Sequence, residues 1–343
     1  MANGTNEIEP TAVSLKMEPI RLELPTGLDV GPVNVYLFRQ PEPVLVDAGL
    51  KSPESWEALQ FALAEHNLTV MDISRVIITH PHVDHFGQAG TITAHSDADV
   101  WICELGAAWL TDSAEMWQQR LDYYRQEFLQ SVGYEPATID AVTGGMKAIA
   151  DQSDPIPPER VHTFAPDGVL QMGGLAWQVI HTPGHSSAQT CFYQPETRQL
   201  LSADHLLQTT PTPVVERPLS AQDRLPALPQ FMQSLDRVAA LDIEAVYPGH
   251  GRPFGPRFDL DHHAVIDKQC ARIQQRKTEC LQYIQSGIYV PALLVDKMYA
   301  HHPPQFRFAG LWMLIGYLDL LLADGAIRQE TISGVWHYYP TGD

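Results

Sequence analysis

The chain of 343 residues lacks a long apolar run, lacks paired cysteines and lacks any surplus of basic charge. Its longest apolar stretch, Leu311 to Leu322, is broken by Gly316 and Asp319. A bilayer span needs about 20 apolar residues, so this stretch reads as a buried helix. Cys103, Cys191, Cys270 and Cys280 are scattered and form no C-x-x-C pair. That excludes a disulfide framework and a thiolate metal site, and reduced thiols in a cytoplasmic protein are expected. Lys and Arg number 22 against 41 Asp and Glu, a formal net charge of −19. Nucleic-acid binding leans on excess positive charge, and so does binding to an anionic membrane, so neither partner is expected. Met1 to Pro19 holds no apolar core of a secretory signal, and residues 1–18 read as a loose leader. There is no internal repeat and no low-complexity tract. What remains is the composition of a folded globular protein, 44% apolar and 18% charged.

Against that plain background one stretch stands out, Thr79-His80-Pro81-His82-Val83-Asp84-His85. It follows the β-branched segment Arg75–Ile78, which reads as a buried strand, so the cluster sits where a strand ends. On extended backbone residues i and i+2 face one way, which lets His80 and His82 reach one ion together. Asp84 and His85, past the bend, point elsewhere and can hold a second. Imidazole and carboxylate without thiolate suit zinc, iron or manganese.

In order, Val33–Phe38 and Val44–Asp47 predict a hairpin, and Ser52-Pro53-Glu54 opens a helix running to about His66. The Arg75–Thr79 strand, the His80–His85 loop and a strand over Asp99–Cys103 follow. From 104 to 160 the pattern turns helical. Trp117, Leu121, Tyr124 and Phe128 mark one face of an amphipathic helix, and a second helix over Thr138–Ala150 carries a weakening Gly144-Gly145. Strands resume at Leu175–Ile180, Thr190–Tyr193 and Gln199–Ser202, and a helix is expected between about Ala221 and Leu241. Beyond 258, helices over 262–285, 291–299 and 309–324 and a hairpin over 327–339 predict a second, mainly helical domain, 259–343.

Three further strand ends carry candidate ligands: His185 in Pro183-Gly184-His185, Asp204 in Ser202-Ala203-Asp204, and His250 in Pro248-Gly249-His250. Two ions that share a solvent and a carboxylate need about three protein ligands each. Seven groups meet that count: His80, His82 and His185 on one ion, Asp84, His85 and His250 on the other, Asp204 between them. The glycines suit tight turns that bring backbone close to the ions.

The loop His80-x-His82-x-Asp84-His85, with His185, Asp204 and His250 in that order, resembles the metallo-β-lactamase-fold hydrolases over residues 19–258. The resemblance implies an α/β fold, a four-layer αββα sandwich with a two-metal site at one edge. Residues 104–160 become a helical insertion near that site, and 259–343 resembles the small winged-helix-like domain of some members. Aspartate at 204 is similar to glyoxalase II-like thioesterases, lactonases and nucleases rather than to antibiotic-degrading lactamases. The basic and tyrosine residues with which glyoxalase II grips glutathione have no evident counterpart here. Asp47 resembles a position that supports the metal loop.

The expectation is a metal-dependent hydrolase with two divalent ions, zinc first and iron or manganese next. A hydroxide bridging the ions would cleave a thioester or lactone of a small, partly apolar substrate, with Asp84 and Asp204 as the catalytic carboxylates. Trp109, Met116 and Tyr123 are candidate pocket walls. His205 is expected to be structural, and His262, His263, His301 and His302 exposed. Homodimer formation is left open. The alternatives are two-metal cleavage of RNA phosphodiesters, which the net charges of −6 on the insertion and −2 on 259–343 disfavour, and a non-hydrolytic or iron-dependent oxygen-using relative.

Overall fold

Period-two alternation in the strands decides the architecture. In β2 (Val33–Phe38), Val35 and Leu37 join one apolar core while Tyr36 and Phe38 join another. The same split separates Leu45 from Val44 and Val46 in β3 (Val44–Val46), and Val76 and Ile78 from Ile77 in β4 (Arg75–Ile78). Strands buried on both faces must lie inside a layered fold. The computed structural model describes residues 18–209, 211–218, 221–302 and 307–342; the expected leader lies outside them, apart from residue 18.

Two sheets stack face to face. The first runs β1 (Ile20–Leu24), β2, β3, β4, β5 (Asp99–Cys103) and β6 (Val161–Phe164), antiparallel through β3 and parallel beyond it. The second runs β11 (Ala245–Pro248), β10 (Gln199–Ala203), β9 (Thr190–Gln194), β8 (Leu175–His181) and β7 (Val169–Met172), with only β10 and β11 parallel. Trp177, Phe192, Leu201 and Tyr247 meet Tyr36, Phe38 and Ile77 between the sheets. On the outer face of the first sheet lie α1 (Pro53–Glu65), through Leu59 and Leu63, and α3 (Ala89–His95), through Ile92, with the single turn α2 (Val83–Phe86) before it. Ser52 caps α1 by accepting from the Ser55 amide at 3.1 Å. On the outer face of the second sheet α8 (Ala227–Ala239) presents Leu228, Phe231, Leu235 and Val238. This is the αββα sandwich.

The inserted helices are α4 (Ala107–Thr111), α5 (Ser113–Tyr123), α6 (Leu129–Val132) and α7 (Pro136–Ala150). The expected stripe from Trp117 to Phe128 is not one regular helix, because a π-helical turn over Tyr124–Phe128 interrupts it. The turn brings Tyr124 and Phe128 fully into the core while Trp117 and Leu121 stay half-buried. Gly144 and Gly145 do not break α7: both are exposed, and the buried face of Ile139, Thr143 and Met146 holds the helix through them.

After β11 come α9 (His262–Gln285), α10 (Pro291–Met298), α11 (Arg307–Ala323) and the hairpin β12 (Ile327–Ile332) and β13 (Val335–Pro340). Their apolar faces, with Ile273, Leu294 and Leu314, join Tyr124, Phe128 and α8 in one continuous core. Gly316 of α11 lies so close to Leu228 that an added Cβ would stand 2.4 Å from its side chain. Three strands are absent from the sequence expectation, β1, β6 and β7, and α8 begins six residues later than expected, at Ala227. His262 is buried, at 3% exposure, rather than exposed. Among the described residues no helix is long and apolar enough to cross a membrane.

Candidate metal centre

Every group singled out in the sequence stands at the same edge of the sandwich. β4 delivers His80, the bend into α2 delivers His82, Asp84 and His85, and the turns after β8, β10 and β11 deliver His185, Asp204 and His250. Hydrogen bonds tie these loops across the two sheets. The Thr190 amide donates to Thr79 O at 3.1 Å, the Asn34 amide to Gly249 O at 2.7 Å, and Tyr36 Oη to Pro248 O at 2.7 Å.

The seven side chains fall into three overlapping groups: His80, His82 and His185; His80, His85 and Asp204; Asp84, His85 and His250. His82 Nδ1 lies 3.0 Å from His80 Nε2 and 2.9 Å from His185 Nε2. Asp204 Oδ2 faces both sides, 3.5 Å from His185 Nε2 and 3.4 Å from His250 Nε2. Asp84 Oδ2 is 3.3 Å from His250 Nε2, and Asp204 Oδ1 is 3.4 Å from His85 Nε2.

The outward nitrogens show what the inward ones are for. His185 Nδ1–H donates to Thr212 O at 2.8 Å, His250 Nδ1–H to Pro32 O at 2.8 Å, and His85 Nδ1–H to Asp47 Oδ2 at 2.7 Å. Each bond places a proton on the outward nitrogen and turns Nε2 inward, where the neutral ring offers a lone pair. Neutral rings so arranged cannot satisfy one another. Among the described residues, the Nε2 atoms of His85 and His250 and Oδ1 of Asp204 are buried with no hydrogen-bond partner. Convergent lone pairs and carboxylate oxygens in a buried edge fit hard to borderline divalent cations, so the donor set passes the test of its own chemistry.

Electrostatics agree. Burial, the largest influence, depresses His80 and His82 well below the usual histidine range and keeps them neutral. Burial also opposes charge on His85, but the carboxylates of Asp204, Asp47 and Asp84 outweigh it and hold that imidazole well above its usual range. His250 is raised to about 10 in the same way, against burial, chiefly by Asp204. Burial would raise Asp84, yet His85 and His250 bring it down to about 2. The centre therefore demands positive charge, as protons or as metal.

Asp47 sits under the loop at φ 66°, accepting from the Thr79 amide at 2.8 Å and the Thr79 hydroxyl at 3.0 Å besides His85. His205 is fully buried, its ring edge-on to Phe231 at 5.2 Å, and burial lowers it to about 3. Gly249 must be glycine, because a Cβ there would stand 2.1 Å from Asp204 Oδ1. Gly184, at φ 144°, lies against Phe231 in the same way.

Beside the cluster a cavity of about 500 Å³ opens under the insertion, lined by Trp109, Met116 and Tyr123 as expected. Arg120 and Glu216 also line it, and sequence reasoning missed both. They pair across 96 residues of chain, a separation no local pattern signals.

The sandwich and the seven groups define a metallo-hydrolase architecture, and the chain belongs to the metallo-beta-lactamase superfamily, whose model matches residues 28–250. Members of this fold bind divalent metal, and the clustered His and Asp are placed for it. Among curated relatives, a probable metallo-hydrolase, YqjP of Bacillus subtilis, is 26% identical over 315 residues, 90% of this chain and 94% of the relative. An atrochrysone carboxyl ACP thioesterase of Aspergillus fumigatus is 28% identical over 107 residues, 31% of this chain and 27% of the relative. Among solved structures, a metallo-beta-lactamase family protein from Thermus thermophilus matches with TM-score 0.76 at 23% identity, covering 94% of this chain and 98% of that one. At that identity the likeness speaks to the fold.

Proposed function

We propose that this protein hydrolyses an ester-like acyl bond, a thioester or lactone, in a small and partly apolar substrate, using two divalent ions with zinc the first expectation. The observation that carries the reading is Asp204 Oδ2, which stands between His185 Nε2 and His250 Nε2 and so faces both halves of the cluster. His80, His82 and His185 would hold one ion, Asp84, His85 and His250 the other. Bound there, the pair would lower the pKa of solvent between them and polarise the acyl carbonyl.

The chain's own groups do the rest. Asp84, kept ionised at about 2, accepts a hydrogen bond from the attacking water and orients it. Asp47 and the Thr212 and Pro32 carbonyls hold three imidazoles in one tautomer. The apolar walls at Trp109 and Met116 exclude water from the acyl half. The Aspergillus relative, a thioesterase, supports the same bond class over the third of this chain that it matches. The four free cysteines support a reducing, cytoplasmic setting.

Metal analysis of the purified protein beside a panel of acyl thioesters, lactones, bis-nitrophenyl phosphate and RNA tests this reading. Turnover of thioester or lactone with about two metals per chain is expected. Turnover of phosphodiesters alone overturns the bond class, and one metal per chain after reconstitution overturns the two-ion assignment.

A further inference from the structure

We infer that the cavity under the insertion receives the acyl half of the substrate, and that Arg120 there selects acyl chains bearing a neutral oxygen function, keto or hydroxyl, over plain hydrocarbon chains. The acyl assignment rests on the hydrolase reading above; the oxygen preference is a property of binding alone.

The cavity adjoins the metal cluster through one strap of chain. Thr212 O accepts from His185 Nδ1 at 2.8 Å, and the Val214 amide donates to His185 O at 3.1 Å. One residue on, Val215 O accepts from Tyr124 Oη at 2.7 Å, and Glu216 Oε2 accepts from the Ser187 amide at 3.0 Å. Residues 212–216 thus run from the cluster to the insertion, and Val215, Glu216 and Ser187 line the cavity. A substrate held with its scissile carbonyl at the cluster has this cavity beside it.

Arg120 is held in place before any ligand arrives. Its guanidinium lies 4.2 Å over the Trp109 ring and 5.5 Å from that of Trp117, with Nη2 donating to Glu216 Oε1 at 2.9 Å. Its side chain is only 11% exposed, and it lines the cavity. Among the described residues this is its one hydrogen bond, which leaves most of its N–H donors for a ligand. Glu216 is spent, one oxygen on Arg120 and the other on Ser187. The free capacity in this wall is donor capacity.

Charge decides between an anion and a neutral oxygen. Arg120 and Arg217 line the cavity against Asp122, Glu127 and Glu216. Arg217 is already paired to Glu127 at 2.5 Å and lies 4.0 Å over the Tyr123 ring. With three carboxylates against two guanidiniums, a free carboxylate or phosphate meets repulsion that offsets what it gains from Arg120, whereas a ketone or hydroxyl oxygen takes its hydrogen bond without that cost. A plain hydrocarbon chain would fit the walls at Trp109 and Met116 yet strip water from the guanidinium without replacing it, and that penalty creates the selectivity.

The test uses the metal-loaded full chain and two amide probes, 3-oxooctanamide and octanamide, with binding read from tryptophan fluorescence, since Trp109 and Trp117 flank Arg120. The keto amide is expected to bind about tenfold tighter. Arg120→Met should bring the ratio to about one, and Arg120→Lys should leave it between. Equal affinities in the unmodified protein overturn the inference whether or not the variants fold. A folded Arg120→Met protein that keeps the tenfold preference overturns it too. In parallel, 3-oxooctanoyl and octanoyl thioesters of N-acetylcysteamine are assayed, with the same ratio expected in KM. A protein that discriminates between the amides but cleaves neither thioester, nor any lactone, keeps the oxygen preference and sinks the hydrolase reading.

Discussion

Asp47 and His85 form a buried pair, with Oδ2 of the carboxylate 2.7 Å from Nδ1 of the imidazole and neither side chain more than 3% exposed. The other carboxylate oxygen takes the Thr79 amide, so one aspartate ties the end of β4 to the first turn of α2. Asn at 47 would keep the acceptor for Thr79 but set an NH2 against the His85 N–H. The imidazole would then have to switch tautomer or turn. Metal affinity of Asp47→Asn should fall by about 10- to 100-fold. Competition with a chelating dye measures it, and an unchanged affinity would remove Asp47 from the account.

Gly249 tests the crowding at the cluster. A Cβ at this position would stand 2.1 Å from Asp204 Oδ1 and 2.9 Å from His85 Cε1, so Gly249→Ala must push the Asp204 carboxylate aside. Displacements of that size cost about 100-fold in rate. We expect kcat against the best substrate of the panel to fall by at least that much while the circular dichroism spectrum holds. Near-normal kcat would show that Asp204 does not need its observed position.

The candidate centre was legible because its chemistry is local. Three histidines and an aspartate lie within six positions after an apolar strand, and the partners sit in short Gly-His and Ala-Asp turns after other strands. The αββα order came with the family resemblance that those seven groups carry, and the structure agrees with it in strands that alternate between two cores. What escaped was non-local or weakly patterned. β6 is short and mostly half-exposed, so its alternation carries little signal. The π-helical turn at Tyr124–Phe128 obeys the demands of the C-terminal helices, where Trp312 Nε1 donates to Tyr124 Oη at 2.8 Å, 188 residues away in sequence. Arg120 and Glu216 are brought together by packing alone.

Proton release on metal loading follows from the charged imidazoles. His250 is raised to about 10 and His85 is raised well above its usual range, so with the cations stripped by a chelator both carry a proton at pH 7. As ligands both must be neutral. Loading at pH 7 should therefore release about two protons per chain, read by calorimetry in buffers of different ionisation enthalpy. The sign follows directly: affinity rises with pH through the neutral range and falls in acid. Release of no protons would mean that His85 and His250 do not ligate.

The last prediction concerns what holds the C-terminal helices to the sandwich. Arg224, in the segment before α8, grips Asp319 of α11 through two hydrogen bonds, Nη1 to Oδ2 at 2.6 Å and Nη2 to Oδ1 at 2.5 Å. The side chains are 15% and 10% exposed, so solvent screens the pair little. Removing one partner strands the other in a poorly hydrated place, which costs about 3–5 kcal/mol, whereas replacing both with apolar residues of similar volume is far milder. Arg224→Met should thus destabilise the fold strongly, and Arg224→Met with Asp319→Leu should recover much of the loss. Urea denaturation of the four proteins in the cycle gives the coupling directly. If the losses of the two single variants simply add in the double variant, the coupling is nil and the junction between α11 and the sandwich rests on apolar packing at Gly316 and Leu228 and not on this ion pair.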